Sequence, residues 1–127
     1  MHYPMIHVCY RVLDLQASEK FYMEAFGFEI SRKKDFPGDF TLSYLRAPGL
    51  DFEIELTYNY GHETPYTIGD GYSHLAVSVE DLEASHERHR GMGLEMTDLK
   101  GLAGGKPRFY FVTDPDGYRV EVVRKSE

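Results

Sequence analysis

The chain has 127 residues, 42% of them apolar and 14% aromatic, with a formal net charge of −7 and one cysteine. Its length suits one domain or two small halves sharing a core, its apolar fraction excludes a disordered chain, and its acidic balance argues against nucleic acid or an anionic membrane as the main partner. No apolar run approaches the roughly 18–20 residues of a spanning helix, no signal-like apolar stretch opens the chain, and a lone Cys9 allows no internal disulfide, so a cytoplasmic location is expected.

Residues 5–12 alternate, with Ile6, Val8, Tyr10 and Val12 on one face and His7, Cys9 and Arg11 on the other, which predicts a strand with one apolar and one functional face. Asp14 or Ser18 then opens a helix running to about Phe26, with Leu15, Phe21, Tyr22 and Ala25 as its inner stripe and Gly27 as its stop. Three strands are expected next, at about 28–34, 40–47 and 51–59, joined by turns at Pro37-Gly38-Asp39 and Ala47-Pro48-Gly49. The basic cluster Arg32-Lys33-Lys34 reads as a solvated strand end. Tyr60 to Tyr72, rich in glycine, is a linker.

The second half follows the same plan. A strand is expected at 73–79 and a helix at about 81–90 with Gly91 and Gly93 as stops. Strands follow near 94–98, 107–113 and 118–124, with a flexible loop from Gly101 to Gly105 and a turn at Asp114-Pro115-Asp116-Gly117. The expected fold is therefore α+β: two tandem βαβββ modules, about 1–62 and 70–127, within one domain spanning 1–127.

The two halves also match residue by residue. His7, Val12, Asp14, Leu15, Ala17 and Ser18 recur as His74, Val79, Asp81, Leu82, Ala84 and Ser85, an offset of 67, and Ile54-Glu55-Leu56 aligns with Val120-Glu121-Val122 at an offset of 66. An internal duplication follows. Each half carries one His on its first strand and one Glu on its last, on the face opposite the apolar one. A strand carboxylate facing inward costs several kcal/mol unless it is paired or bound to a cation. His7, Glu55, His74 and Glu121 are thus candidate ligands of one divalent ion. A set without thiolate suits nickel, cobalt, zinc, iron or manganese, and four protein ligands leave two positions open on an octahedral ion. Completing the site needs both halves, from one chain or from two.

The remaining candidates have plainer readings. Cys9 shares the His7 face and is expected to be a packed thiol. His86 and His89 lie among Glu83, Glu87, Arg88 and Arg90, so a solvated helix face is expected. His2 and His62 receive no role. Glu53 lacks a repeat partner, since Arg119 stands at the equivalent position.

Four motifs carry a family resemblance: His7 with Arg11-Val12-x-Asp14-Leu15, then Ile54-Glu55-Leu56-Thr57-Tyr58-Asn59, then Gly71-Tyr72-Ser73-His74-Leu75-Ala76, and Asp114-Pro115-Asp116-Gly117-Tyr118 through Glu121. In these the chain resembles glyoxalase I, of the vicinal-oxygen-chelate superfamily, nearly from end to end. Superfamily epimerases carry Gln where Glu55 stands, so Glu55 points to glyoxalase I. The resemblance implies a lyase that isomerises the methylglyoxal–glutathione hemithioacetal to S-D-lactoylglutathione, with glutathione as co-substrate. It implies a homodimer whose metal sites draw His7 and Glu55 from one chain and His74 and Glu121 from the other. It places Arg11, Asn59 and His74 at the substrate and makes Glu121 the catalytic proton carrier. The short chain is similar to the bacterial class activated by nickel or cobalt, with zinc as the alternative metal. It departs from that class at Tyr60, where Trp is usual, and at Ala103, where Lys is usual. The rival readings are a glyoxalase-like isomerase or epimerase using another thiol or acyl substrate, and a non-enzymatic drug-binding protein of the same fold.

Overall fold

A computed structural model of the protein describes residues 1–101 and 104–126. The chain divides into two compact units, Met1–Thr67 and Ile68–Glu127, with the boundary inside the glycine-rich linker. The architecture is α+β, one helix to each sheet.

Unit one runs β1 (His7–Arg11), α1 (Leu15–Phe26), β2 (Glu29–Phe36), β3 (Phe40–Arg46) and β4 (Glu53–Asn59). Its sheet has the order β1-β4-β3-β2, with β1 parallel to β4 and the other pairs antiparallel. Asp14, not Ser18, caps α1: its carboxylate accepts from the Ala17 amide at 3.1 Å. Gly27, at φ 67°, closes the helix while its amide and that of Phe28 satisfy the Met23 and Tyr22 carbonyls. The buried stripe of α1 is Ser18, Glu19, Tyr22 and Ala25, whereas Leu15 and Phe21 are only half-buried. Glu19 can sit under the sheet because it is paired: Ser43 donates to it at 2.7 Å and the Lys33 ammonium stands 2.9 Å away. The middle of the basic cluster is therefore a structural partner, not simply a solvated strand end. Tyr10, Val12, Leu45, Ile54 and Leu56 complete the core on the helix side.

Unit two runs β5 (His74–Val79), α2 (Leu82–Gly91), β6 (Phe109–Thr113) and β7 (Arg119–Arg124), with sheet order β5-β7-β6. Asp81 caps α2 through the Ala84 amide at 3.0 Å, repeating Asp14. The chain leaves the helix through Met92, and Gly93 supplies the positive φ. The strand expected near 94–98 does not form. Among the described residues two isolated bridges stand in its place, Met96 with Val112 and Lys100 with Phe109, and their registers differ by one residue, so no continuous ladder spans them. Leu102 and Ala103, within the expected Gly101–Gly105 loop, lie outside the described residues. The Asp114 turn forms as expected: its carboxylate accepts from the amides of Asp116 and Tyr118 at 2.9 and 2.8 Å, and Gly117 takes φ 99°. This turn fixes where β7, and with it Glu121, begins.

His86 and His89 are not solvated; they are 6% and 2% exposed. With Leu82 and half-buried Ser85 they have i, i+3, i+4, i+7 spacing, which is the buried stripe of a helix. His89 Nδ1 lies 2.7 Å from the Tyr110 hydroxyl, Ser85 Oγ lies 2.6 Å from the same hydroxyl, and His86 Nε2 lies 3.0 Å from the Thr97 carbonyl. The two imidazoles are thus satisfied core residues. Removing the shared oxygen takes one hydrogen-bond partner from each of Ser85 and His89. Tyr110→Phe is expected to lower the unfolding free energy by about 1–3 kcal/mol, read as a lower urea midpoint at unchanged slope.

Candidate functional site

Sheet pleating puts His7, Cys9 and Arg11 on one face of β1, level with Glu53, Glu55 and Thr57 on β4 and, one strand further, with Tyr44 opposite Glu55. This is the face of unit one away from α1. His7 Nε2 stands 3.5 Å from Glu55 Oε2. The Tyr44 hydroxyl donates to the same carboxylate at 2.5 Å, and Thr57 Oγ1 lies 3.3 Å from its other oxygen. Cys9, expected to be packed, is exposed; its thiol lies 3.3 Å from Thr57 Oγ1 and also contacts Glu55. Burial would raise the Glu55 pKa, but the hydrogen bonds of Tyr44 and Cys9, the nearby His7 and the Thr57 hydroxyl together hold it below the usual carboxylate value. Burial and the bond to Glu55 push the Tyr44 phenol up to about 12, so it stays a protonated donor.

The Tyr44 ring is held on two sides. His7 meets it edge-on with centroids 5.9 Å apart, and the Arg32 guanidinium lies 4.0 Å over its face. Arg32 also holds Glu53 at 3.2 Å, with Ser31 as a second donor, so Glu53 has its cation within its own sheet. Arg11 is exposed at the end of β1 on this face. Asn59 ends β4; its amide donates to the Tyr66 hydroxyl at 3.0 Å, and Tyr66 stacks on His62 at 4.0 Å. Buried His62 Nε2 has no hydrogen-bond partner among the described residues.

Unit two repeats the core of this arrangement. His74 Nε2 stands 3.4 Å from Glu121 Oε1, and its Nδ1 lies 2.7 Å from Ser73 Oγ. Phe111 lies opposite Glu121 in the ladder, His74 meets its ring edge-on at 5.0 Å, and Arg119 lies 3.8 Å over its face.

Each unit therefore brings one His and one Glu together, and within each unit no third His, Cys, Asp or Glu among the described residues completes a metal-binding group. The donor chemistry fits half a coordination shell. Separations of 3.4 and 3.5 Å are longer than the roughly 2.7–2.9 Å of a charge-assisted hydrogen bond. Two donors each about 2.1 Å from one ion stand about 3.0 Å apart at a right angle and about 3.4 Å at the tetrahedral angle. Tyr44, Phe111 and Tyr66 were not singled out from sequence as site residues. The pairing of β3 with β4 was the missing information, since an aromatic in a predicted strand reads as core.

The family model described as the Glyoxalase/Bleomycin resistance protein/Dioxygenase superfamily matches residues 5–122. The chain belongs to this superfamily. Several similar relatives within it carry the name lactoylglutathione lyase. The chain is 37% identical to the lactoylglutathione lyase of Haemophilus influenzae, the match covering 96% of this chain and 93% of that one. It is 39% identical to lactoylglutathione lyase GLX1 of Arabidopsis thaliana over 95% of this chain, but it spans only 44% of that longer protein. Among solved structures, the trypanothione-dependent glyoxalase I of Leishmania major superposes with a TM-score of 0.83 at 36% identity, covering 97% of this chain and 87% of that one. The chain thus spans less than half of the plant relatives and nearly all of the bacterial one.

Proposed function

We propose that the chain is a lactoylglutathione lyase that isomerises the hemithioacetal of methylglyoxal and glutathione to S-D-lactoylglutathione. The observation that carries this reading is the pair of His–Glu couples, His7 with Glu55 and His74 with Glu121, at equivalent positions of the two repeats. Membership of the glyoxalase family implies a divalent ion, and these four side chains are the ones to hold it.

Such an ion supplies Lewis-acid stabilisation of the negative charge that develops when the substrate loses its C1 proton. Glu121 takes that proton and returns it at C2 while the hydroxyl proton passes from the C1 to the C2 oxygen, converting the hemithioacetal into the hydroxy thioester with no net gain or loss of atoms. His74 borders the same substrate. Arg11, exposed at the end of β1, suits a glutathione carboxylate through bidentate pairing, and Asn59 at the end of β4 offers an amide to its peptide groups. The reaction draws on reduced glutathione, the thiol buffer of the cytosol, so a cytoplasmic location belongs with this reading.

Because each unit holds one couple, the complete set needs two. We place the second couple on another chain, making a homodimer with two sites, each combining His7 and Glu55 of one copy with His74 and Glu121 of the other. Nickel or cobalt is the proposed activating ion, with zinc as the alternative.

Metal titration of the stripped protein should find one ion per pair of couples. His7→Ala and His74→Ala should each weaken binding by more than the roughly 10–100-fold that loss of a supporting hydrogen bond costs; undiminished affinity in both would remove the four-ligand assignment. Reconstitution followed by the ultraviolet thioester assay should restore more activity with nickel or cobalt than with zinc, and the opposite order would reject the metal choice. Mixing inactive His7→Ala and Glu121→Gln chains should recover activity, because one of the two interfaces then holds an intact set. No recovery after proven subunit exchange would place both couples of a site within one chain.

A further inference from the structure

The two repeats place equivalent carboxylates in unlike surroundings. Glu55 is ringed by three polar neighbours: Cys9 beside it on β1, Tyr44 opposite it on β3 and Thr57 two residues along β4. At the matching positions around Glu121 stand Ala76, Phe111 and Val123, each in the same ladder relation or strand offset. The rings themselves are alike, each met edge-on by the unit's histidine and covered by a guanidinium. The two copies share the frame, and only the first carries side-chain donors at these three positions. Among the described residues Glu121 has a single polar side-chain partner, His74.

We propose that this polar collar, with the Tyr44 hydroxyl as its main element, is the device that makes the two carboxylates unequal: it pins Glu55 as a fixed ligand and leaves Glu121 as the carboxylate free to carry the proton. Tyr44 is a positioning residue. It acts through its bond to Glu55, and a carboxylate held by a 2.5 Å bond from a phenol, with Thr57 on its other oxygen, cannot rotate toward a substrate carbon without breaking both. Phe111 offers Glu121 no such restraint while presenting the same ring. The inference rests on the reading of Glu121 as the proton carrier, and explains why that role falls on the second repeat.

The test swaps the collar between repeats. Each variant is checked for folding by its thermal midpoint and assayed at saturating metal. Glu121→Gln alone should lose about 10²–10⁴ in kcat. Adding Tyr44→Phe to Glu121→Gln should raise kcat again, by about tenfold, because the released Glu55 then acts as a base. In the otherwise native chain Tyr44→Phe should weaken metal affinity, measured by chelator competition, about tenfold. The reciprocal variant Phe111→Tyr should restrain Glu121 and lower kcat about 10–100-fold with KM and metal affinity undiminished. A merely structural Tyr44 would make the double variant no better than Glu121→Gln and would leave kcat of Phe111→Tyr intact. That result overturns the inference, and Thr57→Val combined with Glu121→Gln gives a second reading of the same collar should Tyr44→Phe fail to fold. Near-normal turnover of Glu121→Gln with metal bound would instead overturn the proton-carrier role itself, and this inference with it.

Discussion

The structure turns on two carboxylates placed mid-strand, each on the face of its sheet away from its own unit's helix. A carboxylate there needs a cation or several donors to offset its loss of water. Glu55 has donors in Tyr44, Thr57 and Cys9, and a histidine at 3.5 Å; among the described residues the polar side-chain partner of Glu121 is a histidine at 3.4 Å. Neither histidine sits close enough for a strong ion pair, so each couple resembles two corners of a coordination shell held ready. The rest of each unit serves that placement. The parallel pairing of first and last strands sets His beside Glu, and the helix on the opposite face fixes the sheet behind them.

Duplication explains both the likeness and the divergence of the units. Equivalent caps, Asp14 and Asp81, start equivalent helices, and equivalent aromatic rings back equivalent histidines. Away from the two His–Glu couples the copies differ. The inner face of α1 rests on Tyr22 and Ala25 with a neutralised Glu19, while α2 rests on Leu82 and two hydrogen-bonded imidazoles. The first sheet keeps four strands, whereas the second keeps three and a broken edge.

What the sequence disclosed follows this division. Alternation along 5–12, the Asp caps and the glycine stops are local signals, and the elements they predicted formed within a residue or two of the expected ends. The His–Glu couples were visible because the repeat placed them in register. The errors came from residue type overriding pattern. His86 and His89 occupy the correct helical period for burial, yet their polarity and charged neighbours suggested solvent. The strand near 94–98 had acceptable composition, but its register slip depends on how Met96 and Lys100 meet β6, which no local signal reports. Tyr44 and Phe111 became site residues only once the ladder set each opposite its glutamate.

The central claim is that two repeats contribute one imidazole and one carboxylate each to a single ion. X-ray absorption at the metal edge of the nickel-loaded protein measures this directly. The account predicts a shell of nitrogen and oxygen alone, with the multiple scattering of two imidazoles and no sulfur at any ligand distance. Scattering from one imidazole, or a sulfur ligand supplied by Cys9, would contradict it.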